Sequence, residues 1–547
     1  MEVAGFAMGA ISAVGLLGQI FDGCVKAYSY FTIANNLGKD SERLLCKIRI
    51  EEMRLVVWGR EWGVKEGKLE AHLAASYGDG DNDGLKKMAE MILQQLLDTI
   101  GNTKKLKDRY GVKEESSTME EKLVRRKSGP AEANAWDEIR LRAKWVISDK
   151  NKFESLLVDL KDYNDGLERL FPPARIATLQ RTWTNELLQT AKRDIGQLGL
   201  LESASSGVYP HLNASANLKQ LRINLDSEEY AKFRPTSALK IPPRSLTIPT
   251  NATDKRQVGD YKSRDRDDPS PVLIEWVAYD PEASLDVRLT LLQRVDSLAR
   301  MVHSASNRHP DLHTLDCLGY IDDTSRKCYG LTYRIPPHIS EPTPQTLSSL
   351  IDDPQLRTPD LDARFTLAHT LAVALWSFHS LDWLHKTFCS TNILFFPSST
   401  PSPNPSEPTP TLTDPYVTGF DSARPEHLDE MTVASKNDIG QDLYRHPDSL
   451  GMWRQSYRKS FDIYSLGLVL LELGLWKSLR PFHRPKYTPA AFRDKAVLPV
   501  LVPRLGSKTG KRYQGVVERC LMCEDKEGEG VGRLMEWVVM TLEGLRV

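Results

Sequence analysis

The sequence predicts a multidomain chain, an N-terminal all-α helical bundle followed by an α+β unit of two lobes. Three observations carry that expectation. Apolar residues recur at helical spacing through the first two hundred positions, a polar stretch rich in Pro, Ser and Asn interrupts them, and short β-type runs followed by long helical ones come after it. With 547 residues, 40% of them hydrophobic and 27% charged, the chain is long enough for more than one core. Lys plus Arg number 72 and Asp plus Glu 73, a net charge of −1, so no overall field draws it to nucleic acid and no nucleic-acid partner is expected. Seven cysteines are too few and too scattered for a disulfide scaffold and point to a reducing, cytoplasmic setting.

The run Val3 to Phe21 carries no charge over nineteen residues. As a helix it would extend about 28 Å, close to the hydrocarbon thickness of a bilayer. Gly5 and Gly9 have the spacing that lets helices approach closely, and Leu16 and Leu17 follow on the same run. In the resting protein the run reads as the buried first helix of a bundle, with a conditional membrane segment as the alternative, and these four residues are the candidates for membrane contact or self-association. Cys46, Ile50, Met53 and Val57 then form a helical stripe, and residues 84–107 form another. A charged loop is expected over 108–134. Residues 136–170 and 175–200 read as helices separated by Phe171-Pro172-Pro173, where proline breaks the pattern. The bundle is thus drawn at 1–205 and a flexible linker at 206–258. The second domain, 259–547, has an N-lobe to about 337, with strands at 272–279, 315–321 and 329–335 and a helix at 286–304. Its C-lobe, from about 338, has helices at 360–381 and 460–475.

Asp79, Asp81, Asp83 and Glu90 match the spelling of an EF-hand calcium loop. Lys86 and Lys87 oppose that charge, so a solvated turn opening a helix explains the same letters, and no metal is assigned. Cys520 and Cys523 lack the second pair a zinc site needs.

Between Leu384 and Leu394, His385 and Asn392 lie seven residues apart. This stretch resembles the protein-kinase catalytic loop, His-Arg-Asp-x-x-x-x-Asn. Further on, Gly419-Phe420-Asp421 resembles the metal-binding segment, Pro447 and Asp448 the end of an activation segment, and Asp462 with Gly467 the central C-lobe helix. The resemblance implies a kinase-like fold, and at the reactive positions the sequence departs from it. Thr387 stands where the base belongs and Gly419 where the metal-binding Asp belongs. Asp421, two residues on, is displaced by about 6.6 Å along an extended segment. The strand that should carry the phosphate-pairing Lys reads Leu273-Ile274-Glu275-Trp276-Val277, with Val277 taken as the degenerate position. Binding of ATP and magnesium is therefore disfavoured and a pseudokinase is expected. An atypical active kinase using Asp421, Asn392 or Glu275 in new roles is the enzyme alternative.

The opening Met1-Glu2-Val3-Ala4-Gly5, the turn Asn36-Leu37-Gly38-Lys39-Asp40 and the helix Arg54-Leu55-x-x-Trp58-Gly59 resemble the HeLo (prion-inhibition and propagation) domain of filamentous-fungal incompatibility proteins. In that family a helical bundle releases its N-terminal helix to damage membranes when an attached module changes state. The resemblance implies a non-catalytic signalling protein of heterokaryon-incompatibility or programmed-cell-death type. It implies self-association through the bundle, lipid as a partner on activation, and an upstream partner the sequence does not identify. A cytosolic interaction scaffold is the remaining alternative.

Overall fold

The computed structural model describes residues 15–32, 39–78, 82–115, 144–147, 149–227, 235–249, 254–263, 268–282, 284–303, 308–339, 341–397, 412–420, 424–425, 439–450, 455–523 and 529–546. The chain divides into two compact units, Met1–Asn217 and Leu218–Val547.

The first unit is built from α1 (Leu16–Thr32), α2 (Lys39–Glu61), α3 (Leu69–Tyr77), α4 (Asn82–Gly101), α5 (Thr103–Tyr110), α6 (Lys150–Glu168), α7 (Pro173–Ala191), α8 (Ile195–Ser205) and α9 (Pro210–Ser227). Helix α2 is its axis, packed against α1, α6, α7 and α8. Leu17, Phe21, Cys24 and Tyr28 are buried in α1 at i, i+4, i+7 and i+11, one face of a helix. The single helix expected over 84–107 breaks at Asn102, whose side chain accepts from Lys105 N and caps α5. Over 136–170 the expectation is also corrected. Lys144–Ile147 forms β2, paired antiparallel with β1 (Val112–Glu115), and helix resumes only after Asp149, which caps Lys152 N. The calcium spelling gives way as well. Because α4 begins at Asn82, Glu90 lies about 10.5 Å along the axis from Asp83, too far to share one ion. Asp83 instead pairs with Lys87 at 2.5 Å and Lys86 with Glu70; Asp79 and Asp81 lie outside the described residues.

The stretch 206–258, expected as a flexible linker, carries ordered elements. Helix α9 crosses the division between the units, and strand β3 (Leu246–Thr247) and the start of β4 (Arg256–Tyr261) follow. Composition misled here because Pro242 and Pro243 open a 3₁₀ turn and do not mark disorder.

In the second unit β3, β4, β5 (Ser270–Ala278), β7 (Cys328–Arg334) and β6 (Cys317–Asp323) make an antiparallel sheet in that spatial order. Leu273 and Val277 turn to one face of β5 with Glu275, while Val272 and Ile274 pack on the other with Ile241, Leu246 and Ile321. Helix α10 (Leu285–Val302) covers the sheet from the β6 and β7 side. Then come β8 (Gln345–Thr346), α11 (Leu347–Asp352), α12 (Leu361–Ser380), β9 (Trp383–Leu384), β10 (Ile393–Phe395), β11 (Tyr416–Val417) and β12 (Arg424–Pro425), forming two small sheets, β11-β10-β8 and β12-β9. The helical part closes with α13 (Lys459–Leu475), α14 (Val502–Lys508), α15 (Gly510–Leu521) and α16 (Glu529–Glu543). Helix α13 is buried from Ser460 to Leu475, as befits a helix apolar all round. Gly467 lets it approach α15, since a Cβ there would stand 2.9 Å from that of Cys520.

Glu472, also in α13, is fully buried, and its carboxylate accepts from Leu479 N at 2.8 Å. Burial pushes its carboxyl up to about 7, against the pull of that amide and of the Tyr444 and Ser390 hydroxyls. A carboxyl whose folded pKa is raised holds a proton the unfolded chain releases, so its stabilisation is complete below about 4.5 and fades as pH rises to 7. Glu472→Gln is accordingly expected to gain stability relative to wild type between pH 5 and 8, by about 3 kcal/mol at most, readable from urea midpoints across that range.

Candidate functional site

Strands β4 and β5 set Arg256 directly opposite Glu275, and together these two side chains close over the His385–Asn392 loop. Glu275 is 1% exposed. Its Oε1 accepts from Arg256 Nε at 3.1 Å and from a terminal guanidinium nitrogen at 2.8 Å. Its Oε2 accepts from Gly419 N at 3.2 Å. Burial alone pushes this carboxyl up, but Arg256, Lys255 and the Gly419 amide outweigh it and hold the group below the ordinary glutamate range. Arg256 then reaches on to Asn392 Oδ1 at 2.5 Å and to Thr391 O at 2.8 Å. Asn392 Nδ2 donates to Thr387 O at 2.7 Å, and Thr387 Oγ1 donates to Gly419 O at 2.6 Å. Every polar group named here meets another from the chain itself.

Gly419 makes this closure possible. Its φ of +85° lies in the left-handed region, and a Cβ would stand 2.3 Å from Asn392 Nδ2, so no side chain fits without moving the asparagine. The position cannot carry a metal-binding carboxylate in this arrangement. Among the described residues no group of His, Cys, Asp and Glu is placed to hold a metal ion.

Below the loop Asp462 acts as a clamp. Its two oxygens accept from His385 N and Lys386 N, each at 2.8 Å, and Oδ1 accepts from Tyr457 OH at 2.9 Å. Lys386 has a φ of +68°, and the aspartate holds the backbone in that costly conformation. Burial raises the Asp462 carboxyl, but His379, His385 and the amide outweigh it and keep it below its usual range. His385 packs among Phe378, Phe388 and Phe420; burial depresses its imidazole to about 4, leaving it neutral.

The structure therefore brings His385, Thr387, Asn392, Gly419 and Asp462 together, while Asp421 lies outside the described residues. Val277 shares a face of β5 with Glu275, and it is Glu275 that reaches Gly419. Asp296 on α10 faces elsewhere, accepting from Thr236 N at 2.8 Å and pairing with Arg300. Pro447 and Asp448 form a 3₁₀ turn over which His446 Nδ1 accepts from Asp448 N. Sequence reasoning missed Arg256 altogether. The available signal was its place on the strand next to the one carrying Glu275.

In the first unit the candidate is the seat of α1. Gly59 of α2 leaves a socket for Phe21, since a Cβ there would come within 2.2 Å of the ring, and Trp58 packs beside it with its indole donating to Leu167 O at 2.9 Å. Asp22 pairs with Lys65 at 3.2 Å, and Cys24 Sγ donates to Leu93 O. Leu17 is 7% exposed and Leu16 69%; Gly5 and Gly9 lie outside the described residues. No described helix is long and apolar enough to cross a membrane. Deeper in, Arg54 is 2% exposed and holds Glu51, Asp165 and Glu168 at 3.0, 2.6 and 2.9 Å, tying α2 to α6.

Residues 5–201 match the family model HeLo, described as prion-inhibition and propagation. The N-terminal unit is HeLo-like. Two curated relatives, both from Podospora anserina, are similar to part of the chain. Heterokaryon incompatibility protein S is 22% identical over 223 residues, 39% of this chain and 72% of its own length. Heterokaryon incompatibility protein s is 22% identical over 230 residues, 40% of this chain and 75% of its own. Against the HeLo match, the Trp58-Gly59 pair gains a concrete role as the wall and socket that receive α1. Residues 282–531 match a second model, described only as a domain of unknown function, DUF7580.

Proposed function

We propose that the chain is a non-catalytic signalling protein of the fungal incompatibility or cell-death type. In it a pseudokinase-like C-terminal unit controls a HeLo-like bundle whose first helix engages membranes and sister chains when released. The observation that carries the reading is the self-occupied constellation around Gly419. On the kinase resemblance drawn from the sequence, the strand that should carry the phosphate-pairing Lys offers no cation, and the β5 side chain that reaches Gly419 is a carboxylate, Glu275. A buried carboxylate there repels a triphosphate. Thr387 offers no base near neutral pH, which forfeits typically 10²- to 10⁴-fold in rate, and Asn392 is already engaged by Arg256. The incompatibility role is supported by the HeLo match and by the names of the two relatives.

Two measurements on the full chain test this. Magnesium-ATP is expected neither to bind measurably nor to be turned over; robust turnover would return the protein to the enzyme class. Gly59→Val, which drives a side chain into the Phe21 ring, is expected to raise dye release from anionic vesicles at least tenfold over wild type. A large destabilisation with no gain in release would leave α1 a core helix of a scaffold.

A further inference from the structure

Helix α9 runs unbroken from Pro210 to Ser227. Its first half is fastened within the first unit, where Asn213 donates to Glu202 O at 2.7 Å and Asn217 to Glu202 Oε1 at 2.9 Å. Its second half belongs to the second unit. Leu218 and Leu225 enter that unit's core, and Lys219, 3% exposed, reaches Asp382 at 3.1 Å. Asp382 also pairs with Lys459, the first residue of α13, at 3.0 Å. It occupies the turn between α12 and β9 with a φ of +54°. Three residues later the Asp462 clamp begins at His385, and the same loop ends at Asn392 under Arg256. A buried lysine of this helix is thus paired with a partly exposed aspartate on the turn that opens the closed loop.

We propose that residues 218–227 are a docking helix held on this turn by the Lys219–Asp382 pair, so that opening the His385–Asn392 loop loosens the helix and loosening the helix frees the loop. A largely desolvated ion pair suits such a device, because removing one partner costs more than removing both and the contribution of charge can be told from that of packing. Coupling through it is reciprocal by linkage. The inference concerns α9 and the loop alone and holds whether or not the bundle engages lipid.

Amide hydrogen exchange on the full chain, read in peptides covering 218–227 and 382–392, tests it. Asp382→Asn removes the carboxylate that Lys219 meets at 3.1 Å and is expected to raise exchange over 218–227 at least tenfold. Lys219→Met, which leaves Asp382 with Lys459, is expected to raise it less than threefold, and the double variant to match Lys219→Met. Equal loosening by both single variants would mean that packing and not charge holds the helix, and would overturn the proposal. Should Asp382→Asn fail to fold, Asn392→Ala serves at a distance. It opens the far end of the loop and should raise exchange over 218–227 together with 382–392. Loosening confined to 382–392 would overturn the coupling.

Discussion

Replacing Arg54 by methionine is expected to destabilise the N-terminal unit by about 3–5 kcal/mol at pH 7, the range for removing one partner of a buried ion pair. The guanidinium serves three carboxylates and also donates to Tyr209 OH at 2.8 Å. Glu51, itself buried, has further support from neutral groups, Asn164 Nδ2 at 2.9 Å and the Tyr209 hydroxyl. Burial already pushes the Glu51 carboxyl up with the guanidinium beside it, and without it the shift grows. A carboxyl raised in the folded state stabilises most at low pH and loses that contribution as pH rises through its folded value. The cost of Arg54→Met should therefore be largest at neutral pH and shrink toward pH 4. Adding Glu51→Gln should recover part of it, because the two residues touch and their effects are not additive. Urea unfolding followed by exchange in α2 and α6 reads all three. A pH-independent loss would mean that methionine fails on shape and not on charge.

The legible and illegible parts of the chain divide along range of interaction. Helix α12, expected over 360–381, spans Leu361–Ser380, and α13, expected over 460–475, spans Lys459–Leu475. Period and capping are local, and both are written within a few turns of the chain. Arg54 could not be paired from sequence, because Asp165, Glu168 and Tyr209 lie 111, 114 and 155 residues away. Which residue of β5 meets Gly419 is illegible for a narrower reason. A period of two puts Leu273, Glu275 and Val277 on one face equally, and nothing local says which of them lies over Gly419. That depends on the pairing of Arg256 with Glu275, a register set by residues on two strands. In the sequence Gly419 stands for a lost aspartate. Its positive φ and its contact with Asn392 make it also a gained closure, which only three dimensions display.

Asp462→Ala should be the most damaging change in the second unit, with a loss of about 3–5 kcal/mol. The side chain is buried and satisfies two consecutive amides and a tyrosine hydroxyl. Removing it leaves three buried donors without their acceptor, each at about 1–3 kcal/mol before relaxation, and releases Lys386 from a φ that only the surrounding bonds enforce. Since the Asp462 carboxyl is held below its ordinary range, its contribution is present above the unfolded value near 3.8 and is lost only as pH falls through the lower folded one. The variant should thus be impaired evenly from pH 5 to 8, unlike Arg54→Met. Asp462→Asn separates charge from shape. It keeps one oxygen but turns an amide NH₂ toward a backbone N–H that needs an acceptor, so about half of the loss should persist. Urea midpoints at pH 5 and 8, with exchange over 385–392, measure both; an alanine variant with an unaltered loop would mean that Asp462 packs without clamping.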